Sequence, residues 1–228
     1  METDNYVFDL YGTLVDIRTD EWCPKTWKKF GKVLDAGHIK HPAFYKMRAD
    51  HFRLDRAYRD AALATGKFKV PEIDILPVFN DMFISYGNAP MSKEQLWELA
   101  AAFRVCSRDY YRLFPGVEEY FKKLHKEGKK VYILSNAQAS YTMQEIEHFG
   151  LDKMTDGFII SSDYGVMKPD KAFFDALAEK YSLDITKTLM HGDSYENDYK
   201  GGLEAGWQAV HLAKENSPLV YYINQINK

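Results

Sequence analysis

Four places along the chain hold polar residues that could act together in catalysis. Asp9 ends a short apolar run and is followed by Gly12 and Thr13. The other three places are Ser135-Asn136, Lys168-Pro169 and Gly192-Asp193. Two carboxylates, a hydroxyl or amide group and a lysine at one location would suit a nucleophilic carboxylate, a divalent metal ion and an anionic substrate. This chemistry requires a fold that brings the four places together.

Short apolar runs precede three of these places, and they have the composition of buried β-strands. The predicted strands are 6–8, 131–134, 157–160, 188–191 and 208–212. Helical patterns separate the later strands, over 116–126, 139–149, 170–181 and about 197–205. Strands that alternate with helices indicate βαβ units and a parallel sheet with right-handed crossovers. Because parallel strands end at the same edge of a sheet, Asp9, Ser135 and Asp193 are expected to converge there.

The residues between the first strand and the rest of the sheet differ in character. From about Asp16 to Arg112 there is no convincing strand pattern, and apolar residues recur at helical spacing. Glycines end three predicted helices, and Ser92 with Gln95 forms a capping box that begins a fourth. The predicted fold class is α/β, a three-layer parallel-sheet (Rossmann-like) core with an inserted all-helical cap. The core is expected to comprise residues 1–15 and 113–228, and the cap residues 16–112.

Composition excludes several classes of protein. A chain of 228 residues that is 46% hydrophobic is neither disordered nor fibrous. A net charge of −3 gives no reason to expect a nucleic-acid partner, and two distant cysteines argue against a disulfide framework or a zinc site. The sequence has no signal-peptide pattern and no apolar run long enough to span a bilayer. A soluble cytoplasmic protein, with neither nucleic acid nor a membrane as its partner, is therefore expected.

The ordered motifs resemble those of the haloacid dehalogenase-like hydrolase superfamily. The motifs are Asp9-Leu10-Tyr11-Gly12-Thr13-Leu14, Ile133-Leu134-Ser135-Asn136, Lys168-Pro169 and Gly192-Asp193-Ser194-Tyr195-Glu196-Asn197-Asp198. Their order and spacing match the family across essentially the whole chain. The helical insertion after the first motif is similar to the cap of the dehalogenase/β-phosphoglucomutase branch.

The resemblance implies three catalytic roles. Asp9 would be the nucleophile, since covalent capture by a carboxylate divides one difficult displacement into two easier steps. Thr13 would donate a hydrogen bond to the transferred group or orient Asp9. Lys168 would neutralise charge that develops in the transition state. Without the resemblance, these residues would be interpreted as a turn aspartate, a turn cap and a solvated lysine.

A magnesium site is also implied. Mg²⁺ prefers a few oxygen ligands and retains several waters, so Asp9, Asp193 and one backbone carbonyl would suffice. In the family that carbonyl belongs to the residue two after the nucleophile, here Tyr11. Asp198 would hold a metal-bound water or steady Lys168. A helix N-terminal acid that the macrodipole favours is nearly as good an interpretation of Asp198.

Substrate binding would involve the second motif and the glycine of the first. Ser135 and Asn136 precede a predicted helix, where a hydroxyl and backbone N–H groups can bind an anion. Simple capping of that helix is a compatible interpretation. Gly12 would let the backbone turn tightly beneath the substrate.

Two departures from the family pattern point in opposite directions. Phosphatases of this family usually carry a second aspartate two residues after the nucleophile, where this chain has Tyr11. The 2-haloacid dehalogenases carry tyrosine there, because a halide leaves without a proton. Dehalogenases, however, replace the metal aspartate with serine, whereas this chain keeps Asp193 and Asp198. Two acids beside Asp9 would repel one another without a cation.

The retained acidic residues therefore favour the phosphatase over the dehalogenase. The leading hypothesis is that the protein is a Mg²⁺-dependent phosphatase that acts through an aspartyl-phosphate intermediate on a small phosphorylated metabolite. Tyr11 would donate a proton weakly or line the pocket, so good leaving groups would be favoured. The alternative is a metal-independent 2-haloacid dehalogenase with an aspartyl-ester intermediate, and a third is a non-catalytic relative that binds phosphate ligands. The identity of the substrate and the oligomeric state stay open.

Overall fold

The computed structural model describes residues 3–213 and 217–227. Its strands are β1 (Asn5–Phe8), β2 (Val15–Thr19), β3 (Arg108–Leu113), β4 (Lys130–Ser135), β5 (Gly157–Ile160), β6 (Thr188–Gly192) and β7 (Gln208–His211). Five of them form one sheet in the order β5-β4-β1-β6-β7, and every neighbouring pair is parallel. The predicted parallel α/β fold is confirmed, with β1 in the centre of the sheet.

Helices cover both faces of this sheet. The helices are α1 (Pro24–Ala36), α2 (Phe44–Ala64), α3 (Ile75–Ser85), α4 (Lys93–Ser107), α5 (Val117–Lys126), α6 (Ala139–His148), α7 (Leu151–Met154), α8 (Ser161–Tyr164), α9 (Lys171–Tyr181), α10 (Gly201–Glu204) and α11 (Pro218–Ile226). Phe8 of β1 packs with residues of α5, α6 and α11, whereas Val7 packs with residues of α9. Alternate residues of a strand point to opposite faces, so β1 contributes to both layers.

Helices α1 to α4 share a separate aromatic core. Trp27, Phe30, Phe79, Phe83 and Phe103 are each fully buried in it. The predicted capping box is confirmed, because the Ser92 hydroxyl accepts from the Gln95 amide and the Gln95 side chain accepts from the Ser92 amide. Burial of such large aromatic side chains is a major stabilising contribution. The division of the chain into two domains stays a prediction.

The expectation of no strand between residues 16 and 112 is wrong at both ends of that range. β2 and β3 pair in an antiparallel two-stranded sheet, from Val15 opposite Leu113 to Thr19 opposite Arg108. These strands carry the chain from the five-stranded sheet to the helices and back. Their pairing joins segments almost a hundred residues apart, and most residues of both strands are half-buried or exposed, so neither gives a strong local pattern.

The segment before α3 contacts the loop that leads to Lys168. Pro71 and Val166 form an antiparallel bridge, and the Val70 carbonyl accepts from the Met167 amide at 3.1 Å. Further along, the Gln138 side chain donates to the Ile73 carbonyl at 2.8 Å and accepts from the Ile75 amide at 2.9 Å. These contacts hold the segment between α2 and α3 against the loops that follow β4 and α8. No helix of residues 3–213 and 217–227 has the length and apolar character needed to span a membrane.

Candidate active site

The carboxyl ends of the central strands open into a cavity of about 200 Å³. Asp9 follows β1, Asp193 follows β6, and Ser135 ends β4. Since β1 lies between β4 and β6, these ends are adjacent. The cavity is lined by residues from all four motifs, namely Asp9, Asn136, Lys168, Asp193, Asn197 and Asp198. The convergence expected from strand polarity is therefore seen in the structure.

Lys168 is buried between two of the acids. Its Nζ donates to Asp9 Oδ1 at 2.7 Å and lies 2.6 Å from Asp198 Oδ1. The Leu134 carbonyl accepts a third bond at 2.7 Å. Burial alone would lower the pKa of Lys168, but the charges of Asp198 and Asp9 outweigh it and raise that pKa. Lys168 is thus held as a cation, and Asp198 takes the steadying role that the resemblance offered as one alternative.

The three carboxylates lie close enough to share an ion. One oxygen from each of Asp9, Asp193 and Asp198 lies within 4.8 Å of the others. Burial raises the pKa of Asp9 to about 7, with Asp198 and Asp193 adding to the shift and Lys168 opposing it. Loss of hydration, followed by the charge of Asp198, raises the pKa of Asp193. This repulsion would be relieved by a divalent cation, so the donor set fits a hard metal ion.

Two glycines provide the space that the acids occupy. Gly12 has a φ of +84°, and a Cβ there would lie 2.5 Å from Asp193 Oδ2. A Cβ on Gly192 would lie 2.2 Å from the Cγ of Asp198. Gly12 was expected to let the backbone turn beneath the substrate. In the structure its missing side chain makes room for Asp193.

Thr13 is completely buried and bonds Asp193 rather than Asp9. Its Oγ1 accepts from the Asp193 amide at 3.1 Å and lies 3.4 Å from Asp193 Oδ1. The Thr13 carbonyl in turn accepts from the Tyr222 hydroxyl at 2.9 Å. Thr13 therefore positions the second acid, and Tyr222 of α11 supports the Thr13 loop. The role of Thr13 in donating to the transferred group or in orienting Asp9 stays a prediction.

The two polar side chains of the second motif, Ser135 and Asn136, differ in their hydrogen bonding. The Ser135 hydroxyl is buried and has no partner among the described residues. Asn136 donates to the Lys168 carbonyl at 2.9 Å and accepts from the Lys168 amide at 2.8 Å. Asn136 thus fixes the loop that carries Lys168, while Ser135 retains an unused hydrogen-bonding group. The substrate-binding roles of both residues stay predictions.

The Tyr11 side chain points toward α4 and α6. Its hydroxyl donates to Glu145 Oε2 at 2.5 Å and lies 3.1 Å from the Thr142 hydroxyl, which can donate to it. The Arg104 guanidinium lies 5.1 Å from the centre of the Tyr11 ring. Burial raises the pKa of Tyr11, Glu145 adds to the shift and Arg104 opposes it. The hydroxyl is therefore committed to Glu145, which weakens the expectation that Tyr11 is a proton donor.

A buried ionic cluster beside Tyr11 was missed by sequence reasoning. Glu145 of α6 accepts from Arg104 at 3.0 Å and from Arg108 at 2.8 Å. Arg104 also donates to Glu21 at 3.2 Å. Glu145 and Arg104 lie in otherwise ordinary amphipathic helices, where charged residues are expected to be solvated. No local signal distinguishes them, because their burial depends on partners far along the chain.

The segment that carries Asp198 also differs from expectation. A helix was predicted from about Asn197 to Ala205, but a π-helix over Tyr195–Lys200 precedes the short α10. The Ser194 hydroxyl caps it by accepting from the Asn197 amide at 3.2 Å. Asp198 Oδ2 accepts from the Ser194 amide at 3.0 Å, so it faces inward. Single π-helical turns occur often at functional sites.

Known proteins share both this sequence pattern and this fold. Over 78 residues the chain is 37% identical to the pyrimidine 5′-nucleotidase YjjG of Escherichia coli, a match that covers 34% of this chain and 35% of that protein. Over 133 residues it is 28% identical to the phosphoserine phosphatase of Thermus thermophilus, a match that covers 58% of this chain and 52% of that protein. The matches thus span about a third to a half of these relatives.

The fold has a solved counterpart of nearly equal length. The 2-haloacid dehalogenase from Pseudomonas syringae pv. Tomato DC3000 superposes with a TM-score of 0.67, covering 100% of this chain and 98% of that one at 18% identity. At that identity the likeness concerns the fold alone. The family model for haloacid dehalogenase-like hydrolases matches residues 3–206, which include all four motifs. The chain therefore belongs to the haloacid dehalogenase-like hydrolases.

Proposed function

We propose that this hydrolase is a Mg²⁺-dependent phosphatase that uses Asp9 as its nucleophile. The observation that carries the proposal is the group of three carboxylates, Asp9, Asp193 and Asp198, within 4.8 Å of one another beside Lys168. Three acids and one lysine leave an excess of negative charge that a divalent cation would balance. Phosphatases among the relatives support the same interpretation.

The residues that would hold the ion are Asp9 and Asp193, with the Tyr11 carbonyl as a further oxygen ligand. Asp198 would steady Lys168, whose Nζ lies 2.6 Å from its Oδ1. When bound, Mg²⁺ supplies a positive charge that attracts the phosphate and stabilises charge on its oxygens. The Thr13 hydroxyl fixes the Asp193 side chain in this position, since it contacts both the amide and the carboxylate of that residue.

The reaction would proceed in two steps at Asp9. Lys168 donates to Oδ1 of Asp9, whereas Oδ2 accepts from no described residue and is available as the nucleophile. Oδ2 would attack phosphorus while the bond from phosphorus to the leaving oxygen breaks, and the leaving group would take its proton from water. Water would then attack the aspartyl-phosphate, releasing inorganic phosphate and restoring the carboxylate. The buried Ser135 hydroxyl would donate to a phosphate oxygen, and the positive charge of Lys168 would stabilise negative charge that develops in the transition state.

A metal-independent 2-haloacid dehalogenase is the second candidate, and Tyr11 is the observation that favours it. In that reaction Asp9 would displace a halide from carbon, and no proton would be needed. The retained Asp193 and Asp198 argue against it, since a metal-free site would hold unbalanced acids. A non-catalytic protein would bind Mg²⁺ and phosphate without any adduct on Asp9.

The test is hydrolysis of acetyl phosphate and a panel of aryl phosphates, with EDTA and after Mg²⁺ is restored. We expect phosphate release that EDTA abolishes, and a phosphoryl adduct on Asp9 after acid quench and mass spectrometry. Asp9→Asn should abolish both, whereas Asp152→Asn, an exposed acid on α7, is the matched control. Chloride release from 2-chloropropionate in EDTA, without phosphate release, would instead identify a dehalogenase.

A further inference from the structure

A second cavity of about 330 Å³ adjoins the first and shares Tyr11 and Asn136 with it. It lies between the sheet edge and α4, and its walls include Thr19, Glu21, Arg104 and Tyr141. A phosphate beside Asp9 would direct its leaving group along Tyr11 into this space. The side chains that line the second cavity would therefore determine which leaving groups the enzyme accepts.

The basic groups that line the two cavities are already neutralised. Arg104 has 8% of its side chain exposed, and its Nε donates to Glu145 at 3.0 Å. Its two terminal nitrogens donate to Glu145 at 3.4 Å and to Glu21 at 3.2 Å. Lys168 is held by Asp9 and Asp198. A carboxylate on the leaving group would thus find no uncommitted cation among the described lining residues, and it would have to displace an existing ion pair.

The unused polar groups of the second cavity suit a hydroxyl-bearing ligand. Glu21 Oε1 accepts from Arg104 and Ser107, whereas Oε2 accepts from no residue in the described ranges. The hydroxyls of Tyr141 and Thr19 likewise have no protein partner there. Burial, followed by the charge of Glu21, raises the pKa of Tyr141, so its hydroxyl stays protonated. These groups can accept from and donate to alcohols, whereas the unpaired Oε2 of Glu21 would repel an acid placed beside it.

We propose that the second cavity binds an uncharged, hydroxyl-bearing leaving group and rejects one that carries a carboxylate, with Glu21 and Tyr141 as the residues that determine this specificity. The inference rests on the proposed phosphatase activity and adds the class of its substrate. Polyol or sugar phosphates fit this description, whereas phosphorylated hydroxy acids do not. Arg104 acts by holding Glu21 in place.

Glycerol 3-phosphate and 3-phosphoglycerate form a matched pair, because they differ only by a hydroxymethyl group in place of a carboxylate. Each compound is added, in the presence of Mg²⁺, as a competitive inhibitor of acetyl phosphate hydrolysis. Its affinity can then be measured even if the enzyme hydrolyses it slowly. We expect glycerol 3-phosphate to have an inhibition constant at least about ten-fold lower. An equal or lower constant for 3-phosphoglycerate would overturn the inference.

Variants then assign the effect to the two residues. Glu21→Gln should reduce the preference to about three-fold or less, because the repulsion of the acid is lost. Tyr141→Phe should raise the constant for glycerol 3-phosphate by about three-fold or more. Glu98→Gln, an exposed acid on α4, should keep the wild-type ratio. A ratio that Glu21→Gln does not change would contradict the assignment.

The two proposals fail separately in this design. If acetyl phosphate is hydrolysed but the matched pair is not distinguished, only the specificity inference is wrong. If acetyl phosphate is not hydrolysed, the proposed function is wrong. In that case the specificity is tested by calorimetric titration of the wild-type protein with glycerol 3-phosphate and with 3-phosphoglycerate in the presence of Mg²⁺. The expected ratio of their dissociation constants is the same ten-fold or more. Thermal unfolding of each variant verifies that it is folded.

Discussion

At the residue scale, Gly12 faces the Asp193 carboxylate with a φ of +84°. In Gly12→Ala the new Cβ would lie 2.5 Å from Asp193 Oδ2, so this acid must move. We expect a loss in Mg²⁺ affinity of about ten-fold or more, since displaced ligands and their supports typically cost this much. Calorimetric titration with Mg²⁺ measures it.

Gly87 is the matched control for the backbone. Its φ is +83°, and a Cβ there would have nothing within 4 Å. Gly87→Ala should cost about 1 kcal/mol in the free energy of unfolding through backbone strain alone. It should bind Mg²⁺ as the wild type does. Equal Mg²⁺ affinities in the two variants would show that Asp193 is not part of the metal site.

Substitution of Tyr11 tests whether the site lacks a general acid for the leaving group. Tyr11 donates to Glu145 and so has no free proton for the leaving oxygen. In Tyr11→Asp a carboxylic acid would stand two residues after the nucleophile, and turnover of aryl phosphates with poor leaving groups should rise by about ten-fold or more. Tyr11→Asn introduces a side chain of nearly the same size as aspartate without an acidic proton and serves as control. Equal rates in the two variants would indicate that Tyr11 serves another chemistry.

At the scale of elements, Glu145 joins α6 to α4 and to the loop after β1. It has 1% of its side chain exposed and bonds Arg104, Arg108 and Tyr11. Glu145→Gln keeps the shape but removes the counterion that the buried Arg104 and the half-buried Arg108 share. We expect a loss of about 3 kcal/mol in the free energy of unfolding, measured by urea titration, since breaking one side of a buried ion pair typically costs this much.

Glu147 provides the comparison, because it is exposed on the same helix. Glu147→Gln should change the free energy of unfolding by less than about 0.5 kcal/mol. If the two variants were equally stable, the Glu145 cluster would contribute nothing to holding α4 against α6. The leaving-group specificity inferred from Arg104 would then also lack its support.

The elements that sequence reasoning predicted are those with a strong local pattern. Strands β4 and β6 are buried on both faces and have the composition of apolar runs, which locates them without tertiary knowledge. The β2–β3 pair was missed because its two strands are far apart in the chain and neither is a buried apolar run. Helix α11 lies beyond the last predicted strand and was not anticipated, although Tyr222 of α11 supports the Thr13 loop.

At the scale of the whole molecule, the candidate site was predictable where topology alone places residues. Strand polarity brings Asp9, Ser135 and Asp193 to one edge, and no further information is needed. The neutralisation of Arg104 by Glu145 and Glu21 was not predictable, because it depends on how the helices dock on the sheet. The sequence thus indicates the reacting groups, whereas specificity requires the three-dimensional arrangement.

The stability of the fold at acid pH depends on two buried histidines, His51 and His191. His51 lies among the aromatic side chains of α1 to α4, and His191 lies in β6 beside the central strand of the sheet. Burial lowers the pKa of each to about 4. The unfolded chain, with a histidine pKa of about 6.5, binds more protons between pH 6.5 and 4, so stability is fully present above 6.5 and falls as the pH drops toward 4.

His51→Phe isolates one of these contributions. Neither ring nitrogen of His51 has a partner among the described residues, and Trp27, Phe79 and Phe103 surround the ring. Phenylalanine at this position removes two unsatisfied polar atoms. It also removes the contribution of His51 to the pH dependence of the free energy of unfolding. Urea titration should show that the stability lost between pH 7 and pH 5 is smaller in the variant by about 2 kcal/mol, which corresponds to about 1.5 pH units of linkage. Carboxylates such as Asp9, whose raised pKa acts in the opposite sense, cancel in this difference. An identical pH dependence in both proteins would mean that His51 is hydrated or protonated in the folded state, and that the aromatic core of α1 to α4 is open to water.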